Sequence, residues 1–193
     1  MIAPVWSSLL LIYFAEASSF SDDLVYVYIS GEVWTDECLG AGTNAEILLW
    51  LGTLDIKGNL TRLDGDINLN EQRSISAHSI THFAPKRVAL DAREVEQCVE
   101  WGHDYCFPHA DVLFVHFNGS SEFMPLWVPV HFIVRIEYEY KGVRYDFTTD
   151  HPMTHQCRGG LEEGWYQIGP RHGMFISLGK RKPEVGDWIR DWV

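Results

Sequence analysis

The sequence contains no Gly-x-Ser-x-Gly elbow, no His-Glu-x-x-His pair and no phosphate-binding loop. The spacings that build a serine hydrolase, a zinc protease or a nucleotide site are therefore missing. Its nine histidines are scattered. Only His151, His155 and Cys157 have a metal-like spacing, but Pro152 interrupts any helix across the two histidines and removes the usual reason for such ligands to converge. What remains is the chemistry of contact. Trp34 lies in the acidic segment Glu32 to Cys38, and Phe123-Met124 opens a second apolar loop that ends at Trp127. Large apolar side chains at loop tips can enter a lipid interface or a partner's surface, which makes Trp34, Phe123 and Met124 the candidate contact residues. Gly164-Trp165-Tyr166 reads as packing.

The amino terminus indicates where such a contact would be made. An apolar run from Leu9 to Phe14 ends at Ala15-Glu16-Ala17, the small-x-small pattern of signal cleavage, so residues 1–17 are expected to be a signal peptide and the mature chain to begin at Ser18. No other segment reaches the length of a transmembrane helix. An extracellular location suits the four cysteines, Cys38, Cys98, Cys106 and Cys157, which allow three pairings. The preferred one joins Cys98 to Cys106 across a short loop and Cys38 to Cys157 across a long one. Asn59-Leu60-Thr61 and Asn118-Gly119-Ser120 satisfy the N-glycosylation sequon and are expected on exposed loops.

Composition narrows the partner. Fifteen Lys and Arg against 27 Asp and Glu leave a formal charge of -12, which repels a polyphosphate and argues against nucleic acid and against plain adsorption to anionic lipid. With 46% hydrophobic and 22% charged residues, 193 residues can bury a core of their own.

The elements that must position these residues read mostly as strands. Leu24 to Ile29 is β-branched and aromatic and stops at Ser30-Gly31; Ala45 to Leu51 ends at Gly52; Asp111 to Phe117 ends at Asn118-Gly119. Val128 to Phe147 forms a hairpin around Lys141-Gly142. Asp64 to Thr81 reads as two short strands or one loop. Asp91 to Trp101 is the single helix, with Asp91 as cap, Glu94 at the capping-box offset, and Val95, Cys98 and Val99 on one face. Residues 151–193 hold six Lys and Arg against five Asp and Glu, a break from the acidic chain before them, and are expected to form an irregular extension packed on the rest. The fold class that follows is all-β: an antiparallel β-sandwich over 18–150, one short helix, and the extension.

Gly40-Ala41-Gly42-Thr43-Asn44-Ala45-Glu46-Ile47, set between the first two strands, resembles the glycine-threonine signature of the PLAT domain, the β-sandwich of polycystins, lipoxygenases and some lipases. Val112 to Gly119, then Leu126-Trp127-Val128-Pro129 and Phe132-Ile133-Val134, is similar to the family's strand, turn, tryptophan and following strand. The sequence departs from the pattern at Phe117, where the family often has aspartate. The resemblance implies a core position for Trp127. It also implies calcium as a cofactor held between end loops by oxygen ligands, for which Asn44, the carbonyl groups of Gly42 and Thr43, and the acids Asp36 and Asp64 are the candidates.

The function expected is that of a secreted, non-catalytic module that binds protein or membrane lipid through its end loops, with calcium assisting. The alternative is a small secreted enzyme, or a toxin or inhibitor subunit, on an unrelated β-sandwich.

Overall fold

A computed structural model of the chain describes residues 24–38, 40–71, 73–102, 107, 110–119, 127–154, 160–168, 173 and 175–186. The expected signal peptide, Phe123, Met124, Cys106 and Cys157 lie outside them. In chain order the elements are β1 (Leu24–Thr35), β2 (Glu46–Leu54), β3 (Leu60–Asn68), β4 (Ile80–Asp91), α1 (Ala92–Trp101), β5 (Val112–Asn118), β6 (Pro129–Tyr140), β7 (Val143–Pro152), β8 (Gly164–Ile168) and β9 (Phe175–Gly179). They form two antiparallel sheets, β4-β1-β6-β7 and β3-β2-β5-β8-β9. This is the all-β sandwich with one short helix that the sequence predicts.

Alternation in β1 sends Val25, Val27, Ile29 and Val33 into the core between the sheets, where they meet Ile47, Leu49 and Leu51 of β2 and Leu113, Val115 and Phe117 of β5. Along β2 and β5 most of the intervening residues, Leu48, Trp50, Val112 and Phe114, are apolar as well. Trp50, Val112 and Phe114, with Leu60 of β3 and Trp165 of β8, build a second cluster on the outer face of the five-stranded sheet. A strand buried on both faces reads as an unbroken apolar run, as these two do.

Three sequence expectations change, and one strand has no counterpart among them. Ser30-Gly31 does not end the first strand: the alternation continues to Thr35, and Gly31 is required because a Cβ there would collide with the Ile133 carbonyl and lie 2.6 Å from the Phe83 ring. Gly52 likewise lies inside β2. β4 is an edge strand with no sequence assignment, because Pro85 masks it; the proline falls where the register against β1 shifts between Ile29 and Gly31, a position that tolerates a missing N–H. Residues 151–193 are not irregular throughout, since β7 runs on to Pro152 and β8 and β9 complete the second sheet. Further on, the Lys182 ammonium sits over the Trp50 ring at 4.0 Å, so this stretch packs on the sandwich.

The helix forms as expected, with the Asp91 carboxylate accepting from the Arg93 N–H at 2.8 Å. Glu94 instead pairs with Arg62 of β3 at 2.8 Å. Val95 and Cys98 are fully buried. Among the described residues no helix is long and apolar enough to cross a membrane.

Candidate functional site

One end of the sandwich brings together Trp34, Asp36 and the Gly42–Asn44 turn. Glu46 stands opposite Asn118 in the β2–β5 register, so the Gly40–Ala45 turn and the chain leaving β5 lie side by side. The turn is a junction. The Thr43 N–H donates to the Ile75 carbonyl at 2.8 Å, and the Ile75 N–H returns a bond to the Thr43 carbonyl at 2.7 Å. The Ala41 carbonyl accepts from Val128 N–H at 3.2 Å, and the Thr43 hydroxyl accepts from Ala45 N–H at 3.0 Å. Gly42 is needed for this approach, because a Cβ would stand 2.5 Å from the Ile75 carbonyl oxygen. Trp127 is fully buried in the same region, its indole N–H donating to the Thr35 hydroxyl at 3.1 Å and its ring flanked by Phe117 and Phe132.

The residues named for calcium are divided by this geometry. Asp36 is buried beside the turn. Its carboxylate accepts from the Cys38 N–H at 3.1 Å, its own N–H donates to the Val128 carbonyl, and its carbonyl accepts from His78 N–H. Asn44 is exposed on the turn. Asp64 is elsewhere: it faces Leu51 across β2 and β3 and is bonded to Arg62 at 2.8 Å. Leu51 lies five residues along β2 from Glu46, roughly 17 Å at strand spacing. Among the described residues no three His, Cys, Asp or Glu side chains converge as metal ligands. The set of five therefore does not fit one calcium centre.

Trp34 is at this end, but on a strand and not a loop. It lies near the end of β1, opposite Ile80 of β4 and His131 of β6, on the outer face of the four-stranded sheet. The indole is 38% exposed, and its direction is set by a 2.8 Å bond from its N–H to a Glu32 oxygen. The His131 ring leans on it at 5.2 Å, tilted by 56°, and itself contacts Asp150 of β7. The second Glu32 oxygen lies 3.2 Å from the His82 Nδ1. Ile80, half exposed, extends the apolar surface. The result is an aromatic-aliphatic patch between two histidine–carboxylate pairs. Sequence reading missed His82, His131 and Ile80. Their signal is weak: it consists of the alternation that continues through Gly31, which puts Trp34 in line with Tyr26 and Tyr28.

The two sequon asparagines are also on strand ends or turns. Asn59 closes the β2–β3 turn, its side-chain N–H donating to Asp55 at 2.7 Å, and this contact, with the Asn59 backbone bond, holds the Asp55 carboxyl below its ordinary range. Asn118 is the last residue of β5 and half-buried. Cys38 and Cys98 are both disulfide-bonded, and the partners expected for them, Cys157 and Cys106, lie outside the described residues.

Beyond this end, one group is electrostatically distinctive. His116 of β5 stacks on Trp165 at 4.6 Å, and burial pushes its pKa down against the opposing pull of Glu46 and Glu163.

No family model matches the chain, and no curated protein does. Among solved structures it is similar to deletion variants of a lipoxygenase, one of them crystallised anaerobically in complex with arachidonate, a ligand of that protein. The TM-score is 0.39 at 20% identity, over 75% of this chain and 16% of the other. A third variant gives a TM-score of 0.38 at 18% identity. The chain thus spans 16% of the length of these structures. Lipoxygenases are among the carriers of the PLAT domain that the sequence resembles, and a likeness of this degree carries nothing about the site.

Proposed function

We propose that the chain is a secreted, non-catalytic binding module that meets a protein or membrane-lipid partner with the end of the sandwich carrying Trp34. The observation that supports this reading is the Trp34 patch. A large aromatic side chain is held outward on a rigid strand, oriented by Glu32 and extended by Ile80, where it contributes nothing to the core. Indole rings with a satisfied N–H and an open face are favoured both in lipid interfaces and as anchors in protein contacts. Phe123 and Met124 join this surface in the proposal, since the chain leaving β5 and the chain entering β6 belong to the same end.

Liposome co-sedimentation and partner pull-down on wild type, Trp34→Ser and Phe123→Ser/Met124→Ser test it. Loss of either interaction with an unchanged melting temperature supports the reading; no change in both assays removes it. Calcium enters only through Asp36 and the Gly42–Asn44 turn. Titration calorimetry of chelator-treated protein against Asn44→Ala decides whether it enters at all. Secretion is tested by mass spectrometry of the native protein, which should begin at Ser18 and carry glycan at Asn59 or Asn118.

A further inference from the structure

Of the four edge strands among the described elements, three are interrupted. β4 carries Pro85 at a register shift, β3 has two shifts against β2 and a positive φ of 62° at Asp66, and β9 is five residues long with a shift of its own. β7 differs. It is ten residues long, its register against β6 is unbroken from Val143 to Pro152, and no described strand pairs with its other side. An unbroken edge is a template for a further strand unless its side chains oppose one.

The hairpin fixes which groups face that edge. Tyr140 and Val143 close the two-residue turn Lys141-Gly142, whose φ values of 49° and 75° are those of a tight hairpin turn. Val143 and every second residue after it therefore bond to β6, and the N–H and C=O groups of Arg144, Asp146, Thr148 and Asp150 point away from it. The turn bounds this stretch at one end. At the other, the Gly173 carbonyl accepts from the Thr154 N–H at 2.6 Å, so another segment flanks the strand there. The stretch between is 144–150, and its midpoint is Phe147.

We propose that β7 pairs antiparallel with β7 of a second copy about a two-fold axis at Phe147, joining two four-stranded sheets into one of eight. In this register Arg144 of each copy stands opposite Asp150 of the other, and Asp146 opposite Thr148. Charge selects it. Moving the axis to Asp146 sets that residue against itself, and moving it to Thr148 sets Asp146 against Asp150; both oppose like charges. The side chains of Arg144 and Asp150 are 74% and 62% exposed, and each is paired with a β6 residue of its own copy, Glu137 and His131. Phe147 meets its counterpart as a non-hydrogen-bonded pair, the closer of the two antiparallel spacings. It is half-buried in one copy, stacked with Tyr145 at 6.4 Å, so pairing covers apolar surface that the single sandwich leaves partly open. The contact is self-complementary, as a two-fold dimer requires.

Sedimentation velocity over a concentration series of the mature protein tests this. Wild type should pass from monomer to twice the monomer mass. Thr148→Pro removes an N–H that faces the edge, which an edge strand tolerates, and should leave a folded monomer. Arg144→Asp and Asp150→Arg should each be monomeric and still unfold cooperatively as folded proteins. Their equimolar mixture should recover the dimer, because each variant then supplies the charge the other lacks. A wild type that stays monomeric throughout, a dimer indifferent to Thr148→Pro, or a mixture that remains monomeric overturns the proposal.

Discussion

The central strands of the five-stranded sheet are buried on both faces, whereas the four-stranded sheet buries one face. In β5, Leu113, Val115 and Phe117 enter the main core while Val112 and Phe114 are equally buried on the other side. In β1, Val25, Val27 and Ile29 are buried while Leu24, Tyr26, Tyr28 and Trp34 are exposed. A sheet committed on both faces has little surface left to vary, and its outer side chains are set by packing. The four-stranded sheet can change its outer face without disturbing the core, so a contact surface belongs there.

The largest expected effect tests that asymmetry directly. Phe114→Ala should lower stability by about 3–5 kcal/mol in chemical denaturation, the loss of a fully buried aromatic side chain. Tyr28→Ala, on the exposed face of β1, should stay within about 0.5 kcal/mol. Equal losses would mean the two outer faces do not differ. Thr35→Val acts where the sheets meet at the candidate end. It leaves the buried Trp127 indole N–H without its acceptor and should cost about 1–3 kcal/mol, with a shift in tryptophan emission.

Smaller effects sharpen the same contrast. Lys182→Ala removes the cation lying over Trp50 and should cost about 0.5–1 kcal/mol if the carboxyl-terminal stretch contributes to the outer cluster. His116, stacked on Trp165 in that cluster, should titrate by NMR below the 6.5 of a free histidine. Its folded pKa is depressed, so the neutral form is favoured by folding. The associated stability is present above pH 6.5 and lost as pH falls through the folded pKa. His116→Phe should flatten that part of the stability curve, and a titration midpoint at or above 6.5 would contradict the burial of the ring.

Legibility followed the same division. The apolar runs of β2 and β5, the Lys141-Gly142 hairpin and the Asp91-capped helix were all plain in the sequence, because each rests on periodicity or on turn chemistry within a few residues. β4 was not, since Pro85 and Lys86-Arg87 carry no strand signal and the strand exists only because β1 is there to pair with it. The loop placement of Trp34 failed for a related reason. Ser30-Gly31 is a stop by local chemistry, and only Phe83 and Ile133, distant in sequence, explain why the strand continues. Asp64 joins the Gly42–Asn44 turn only through the calcium site that the resemblance implies and its nearness in sequence, and the β2–β3 register separates them.

Sequence alone thus determined the fold class, the helix after Asp91 and the acidic balance of the chain, while the core position of Trp127 came from the family resemblance. The first three depend on local pattern or on summed composition. The tertiary structure decided that the centre of the five-stranded sheet is buried on both faces, that β8 and β9 belong to it, and that Trp34 shares a surface with Ile80, His82 and His131. Those facts depend on register between strands separated by tens of residues, and a one-residue change of register would send every one of these side chains to the opposite face.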